Sequence, residues 1–265
     1  MVNLLGRDPP TGTNWSWCPV PMRCPPLFQA MFSSLKLRLI SRKRSRTEYK
    51  YKLKGEDLVF LDSIKYLGIT ISSNLHWGKH IEDICTKAYR TLGLLKRNLS
   101  ACPEKVKLQA YKGLIRPVLE YASTAWDPWQ DCLQKKLEAV QKSAARFITS
   151  NYSYEEGSMT NIMNKLKLDS LKERRKQNRL IIFCKGIKHQ ANIPTEILKI
   201  PTFRSKNSHS MPYINIGTNK NANKFSFMPA TAVDWNILKE TTIQAMNSAV
   251  DPVKSFAAIV RGGNY

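Results

Sequence analysis

From Ile81 onward, apolar residues recur every three to four positions. Ile81, Ile84, Cys85, Ala88, Leu92 and Leu95 form one stripe, with Lys87, Arg90, Lys96 and Arg97 off it, the period of an amphipathic helix. Pro103 and Glu104 signal the start of a second helix. Val106, Ala110, Leu114, Val118 and Ala122 continue its stripe, and Pro117 inside it predicts a kink or break. Arg116 and Glu120 flank that proline and predict an internal ion pair. Leu133, Leu137, Val140, Ala144 and Ile148 mark a third face, with Lys135, Lys136, Lys142 and Arg146 pointing elsewhere. Ser170 and Glu173 have the spacing of a capping box ahead of "LKERRKQNRLIIFCKGIKH", a long basic helix.

Before Trp77 the period is two. "YKYKL" alternates apolar with Lys, "KGED" supplies a turn, and "LVFLD" and "YLGITIS" read as two further short strands. Together they predict a small antiparallel sheet with one basic face. Four segments result. Residues 1–35, rich in Pro and Trp, read as a disordered leader or as sequence unrelated to the rest. Residues 36–76 form the basic β element, residues 77–190 a helical bundle, and residues 191–265 a loop-rich extension in which "ATAVDWNILKE" is a short helix. The fold class is mainly α, with a small antiparallel β element ahead of the helices.

Charge changes the picture. The 265 residues hold 42 Lys and Arg against 20 Asp and Glu, a net +22. Such an excess repels itself in a compact fold and points to a polyanionic partner. Nine of the basic residues fall between Lys36 and Lys54, against Glu48 alone. "RKRSR" at 42–46 reads either as a nuclear import signal or as a phosphate-contacting hairpin. The candidate phosphate contacts on the helices are Arg90, Lys96, Arg97, Lys142, Arg146, Arg174, Arg175 and Arg179, because cations projecting from rigid rods suit a nucleic-acid backbone.

No apolar run approaches the ~18 residues that span a bilayer, so membrane is not an expected partner. Asp8, Pro9 and Pro10 stand where a signal peptide needs an apolar core, so an intracellular location is expected, nuclear or cytoplasmic. Six cysteines without a Cys-x-x-Cys pair read as reduced and mostly buried thiols. His76, His80, His189 and His209 are too dispersed for a ligand set. No metal, cofactor or small-molecule substrate is expected.

The blocks "KYLGITIS", "HIEDICTKAYRTLGLLKRNL" and "CPEKVKLQAYKGLIRPVLEYASTAWDP" occur in this order. They are followed by "LEAVQKSAARFIT", "LKERRKQNRL" and "KFSFMPATAVDWN". The series resembles the C-terminal portion of non-LTR retrotransposon reverse transcriptases of the LINE-type, jockey-like kind. The resemblance implies that Lys65, Tyr66, Leu67 and Gly68 match the Tyr-Leu-Gly element that supports a primer terminus at the end of the palm. It also implies that the helices from His80 onward match the thumb, which grips a template–primer duplex. The expected partners are RNA, DNA or an RNA–DNA hybrid, together with the palm domain of a full-length enzyme. Gln141-Lys142-Ser143 is less basic than the family's usual segment, and Ala230 and Val233 stand where Arg is frequent.

Polymerisation needs carboxylates holding two Mg²⁺ ions ~4 Å apart, supplied in this family by an aromatic–x–Asp–Asp hairpin and an earlier Asp. The chain has no Asp-Asp pair. "GED" at 55–57 reads as a turn and "IED" at 81–83 as the opening of a helix. No Walker loop, Gly-x-Ser-x-Gly or His-Glu-x-x-His occurs either. The expectation is a polymerase portion that binds nucleic acid without sequence preference and has no catalytic residues of its own. The alternatives are a domesticated helical protein-interaction module and a non-functional remnant.

Overall fold

The computed structural model describes residues 52–53, 56–57, 61–191, 200–201, 209–214 and 221–263. The leader, "RKRSR" and most of "LVFLD" lie outside them. The fold is mainly α with small β hairpins ahead of the helices, as the periodicity predicts.

The first hairpin pairs β1 (Lys52–Leu53) with β2 (Glu56–Asp57), so Glu56 and Asp57 lie in a strand and not in the expected turn. The second pairs β3 (Ser63–Tyr66) with β4 (Ile69–Ser72), in the register Lys65 to Thr70 and Tyr66 to Ile69. "YLGITIS" is therefore the end of one strand, a turn and another strand, and among the described residues the strands form two two-stranded hairpins. Leu67 and Gly68 have φ of 45° and 83°. Positive φ at both central residues is what a two-residue type I′ loop requires, and Gly meets it without strain.

Helix α1 (Gly78–Asn98) begins six residues after β4 ends. Side chains in the link supply the backbone partners: Asn74 Oδ1 accepts from the His76 N–H at 3.0 Å, and His76 Nδ1 accepts from the Gly78 N–H at 3.1 Å. The second of these bonds satisfies a helix N-terminal donor that has no intrahelical acceptor. Ile81, Cys85, Ala88, Leu92 and Leu95 are buried as the stripe predicts. Lys96 and Arg97 occupy the last turn, where the helix dipole favours cations.

The next rod consists of α2 (Glu104–Ala110), a π-helical turn (Tyr111–Ile115) and α3 (Arg116–Glu120). The expected interruption thus falls one turn before Pro117, whose ring would crowd the carbonyl four residues earlier in a regular helix. The wider turn also moves the buried stripe. Lys107, Tyr111, Ile115 and Leu119 face inward, whereas Val106 and Leu114, expected in the core, are exposed.

After α4 (Ser123–Trp126) come α5 (Asp131–Thr149) and α6 (Ser158–Leu166). The five expected core residues of α5 are all buried. Buried Gln141 joins them because its amide links two elements: Tyr111 donates its hydroxyl to Oε1 at 2.7 Å, and Nε2 donates to the Asp169 carbonyl at 2.8 Å. These helices enclose a first hydrophobic cluster containing Ile81, Trp126, Leu137 and Phe147.

Helix α7 (Leu171–Ile187) starts at Ser170, whose side chain accepts from the Glu173 N–H. Leu171 lies in the first cluster, and Leu180, Phe183 and Cys184 lie in a second one with Trp235 and Phe256. The second cluster is completed by α9 (Phe227–Asn236), α10 (Glu240–Ser248) and α11 (Pro252–Arg261), with α8 (Asn221–Lys224) ahead of them. The C-terminal segment is thus more helical than expected. Asp251 caps α11 by accepting from the Lys254 N–H at 3.1 Å, with Pro252 at the first helical position. Among the described residues, no helix is long and apolar enough to cross a membrane, and no group of three or more His, Cys, Asp or Glu could hold a metal ion.

Candidate nucleic-acid interface

The β3–β4 hairpin is fixed to α1 and α3 by polar contacts. Thr70 donates its N–H to His80 Nδ1 at 3.2 Å and its hydroxyl to Asp83 Oδ2 at 2.8 Å. Lys79 Nζ reaches Ser63 Oγ at 2.5 Å. At the tip, Tyr121 donates its hydroxyl to the Leu67 carbonyl at 3.1 Å, while the Tyr121 carbonyl accepts from Trp126 Nε1 at 2.8 Å. Trp126 is fully buried, so the hairpin that presents Lys65 and Gly68 is tied to the core.

Between hairpin, α1 and α3 lies a cleft of 680 Å³, with Lys65, Lys87 and Arg90 on its wall beside His80, Asp83 and Tyr121. Asp83, Lys87 and Arg90 share one face of α1 through spacings of four and three residues. His80 is buried, and its neutral form is favoured: burial pulls its pKa down first of all, Lys65 adds to this, and Asp83 opposes it. Because Nδ1 accepts from Thr70, the ring proton sits on Nε2, a buried atom with no hydrogen-bond partner. The three cations on one wall suit a phosphate oxygen.

The structure thus brings together Lys65, Gly68 and Arg90 from the expected site residues. It adds Lys87, which the sequence places off the apolar stripe but does not single out. Tyr66 and Leu67 are exposed at the hairpin tip. Lys96 and Arg97 lie at the far end of α1 and do not line the cleft. Lys142 is exposed on α5, and the Arg146 guanidinium lies 4.3 Å from the Tyr154 ring centroid.

Three of the expected phosphate contacts have internal carboxylate partners. Arg174 binds Glu120 through two nitrogens, so Glu120 pairs with Arg174 and not, as expected, with Arg116. Arg175 is 1% exposed, with Nε 2.6 Å from Asp127 Oδ1. Arg179 binds both Asp127 and Asp234, the latter at 2.6 Å. The α7 arginines face inward between the two clusters. Burial pushes the Arg175 guanidinium down to about 10, whereas its hydrogen bond to Glu120 raises that of Arg174. Both "IED" acids have partners: Glu82 pairs with Lys136 at 3.0 Å, and Asp83 accepts from Thr70.

Fold and site define a helical chain with a docked hairpin and a basic cleft between them. No protein-family model matches the chain, and no solved structure matches it. A stretch of 91 residues, 33% of the chain, is 30% identical to the probable RNA-directed DNA polymerase from transposon X-element of Drosophila melanogaster. The stretch covers 10% of that polymerase, so the chain spans a small part of its relative's length. The chain therefore carries a region similar to a transposon reverse transcriptase.

Proposed function

We propose that the chain grips the sugar–phosphate backbone of an RNA–DNA template–primer duplex. It does so as the end of the palm and the thumb of a LINE-type, jockey-like reverse transcriptase. The observation that carries this reading is the cleft in which Lys65 of the hairpin meets Lys87 and Arg90 of α1. The similarity to a transposon polymerase and the net charge of +22 support it. Because the contacts are to phosphates, RNA, DNA and hybrid duplexes are all bound, with little sequence preference. The Tyr66-Leu67-Gly68 tip then lies beside the primer strand. The reading assigns the chain a binding role and no reaction step; the carboxylates for phosphoryl transfer belong to the palm of a full-length enzyme.

The test is hybrid-duplex binding as a function of salt. Affinity falls steeply as salt rises, because each neutralised phosphate releases counterion. Neutralising the cleft in a Lys65→Gln/Lys87→Gln/Arg90→Gln variant lowers the slope of log affinity on log salt by about 2 to 3. A slope unchanged by the triple substitution refutes the reading.

A further inference from the structure

We infer a second site, one that holds an unpaired nucleobase, on the shelf formed by Trp129 and Phe225. It shares with the proposed function the assumption of a nucleic-acid partner but uses none of the same residues. The two rings stack nearly parallel, with centroids 5.4 Å apart and an angle of 9°. Each is 41% exposed, whereas Trp126 and Trp235 are fully buried. An aromatic pair of this size left open to solvent forgoes much of the hydrophobic gain that the buried tryptophans collect.

The stack borders a cleft of 420 Å³, whose wall carries four cations, Lys172, Lys176, Arg179 and Lys224, and as many carboxylates, so that lysine and not net charge marks its phosphate side. Two of the wall residues carry a buried polar atom with no hydrogen-bond partner, Glu173 Oε1 and Arg179 Nε, the latter on a guanidinium whose other nitrogens are held by Asp127 and Asp234. One is an acceptor and the other a donor, and a buried polar atom of either kind is costly to leave unpaired. Lys172 and Lys224 are exposed at the mouth, with Lys224 Nζ 5.6 Å from the Phe225 ring centroid.

A nucleotide in a single strand answers each of these features. Its base is planar and stacks on an aromatic face, the base edge carries both donors and acceptors, and its phosphates meet the lysines. An acidic peptide would supply the charge without the planar heterocycle. A paired base in a duplex keeps its faces covered by its neighbours and cannot reach the shelf. The site is therefore suited to template that has not yet been copied, or to a displaced strand.

The test compares a labelled oligoadenylate single strand with a blunt RNA–DNA hybrid, each titrated against the full chain. Trp129→Ala/Phe225→Ala weakens single-strand binding by about tenfold or more and leaves hybrid binding in place. Trp129→Phe, which keeps an aromatic face, retains the single strand and guards against misfolding. Single-strand binding that survives the double alanine substitution overturns the site but leaves the basic cleft untouched. Equal loss of both ligands, or displacement of the oligonucleotide by an acidic peptide, overturns it as well. Failure of the Lys65→Gln/Lys87→Gln/Arg90→Gln variant to affect the hybrid refutes the cleft and leaves the shelf standing.

Discussion

The ring of Tyr121 lies against Gly68, where an added Cβ would sit 3.2 Å from Cε1, and its hydroxyl bonds the neighbouring Leu67 carbonyl. Gly68 has φ of 83°, so an alanine there meets both a disfavoured backbone and a crowded ring. Gly68→Ala destabilises the chain by about 1–2 kcal/mol. Tyr121→Phe, which loses one exposed hydrogen bond, costs about 0.5–1 kcal/mol. Urea unfolding of both variants checks the order, and Gly68→Ala unfolding at the parent midpoint contradicts it.

Asp127 serves two arginines, and one of them, Arg175, is almost wholly buried. Removing the carboxylate leaves the buried Arg175 Nε without its partner and takes one of two partners from Arg179, so Asp127→Ala costs about 3–5 kcal/mol. Glu82→Ala breaks a pair whose side chains are 62% and 51% exposed, and costs under about 1 kcal/mol. Equilibrium denaturation separates the two, and similar losses disprove the burial argument.

The lowered pKa of His80 has a definite sign in stability. Below its ordinary value of about 6.5, the unfolded chain takes up a proton that the folded His80 resists. Stability is therefore full above that value and declines as pH falls toward the lower folded pKa. Asp83 limits the decline, and Lys65 deepens it. His80→Gln flattens this part of the profile; a variant that tracks the parent across the acidic range rules out His80 as the source.

Burial pushes the thiols of Cys85 and Cys184 up to about 11, which leaves them protonated at neutral pH and slow to react. Cys132 is exposed. Peptide mapping after brief maleimide treatment therefore finds Cys132 modified while Cys85 and Cys184 stay free until denaturant is added. Early labelling of Cys184 is incompatible with the second cluster as described.

Much of the fold was legible because α1 and α5 have strict apolar periods that burial follows. Periodicity alone could not place the buried stripe around Tyr111, since two apolar stripes run side by side there. The π-helical turn selects the one at Lys107, Tyr111, Ile115 and Leu119. The helices after α9 had a local signal, Asp251 ahead of Pro252, hidden in a segment rich in Asn and Ser. At the site, the pairing of the basic run on α7 was not legible, because charge density in a sequence does not reveal which cations meet internal carboxylates. Glu120, Asp127 and Asp234 come from distant positions in the chain. Lys87 joins the site because the hairpin docks across its face of α1, a tertiary contact that leaves no local signal in the sequence.

Helix α7 begins in one oily cluster and ends in the other. It is a common beam that contributes core side chains to both. Stripping away the last two helices would expose Phe183 and Cys184 on the same rod that seats Leu171, loosening the cluster behind the hairpin from the opposite end of the chain. The C-terminal helices and the cluster behind the cleft are thereby joined through one continuous rod.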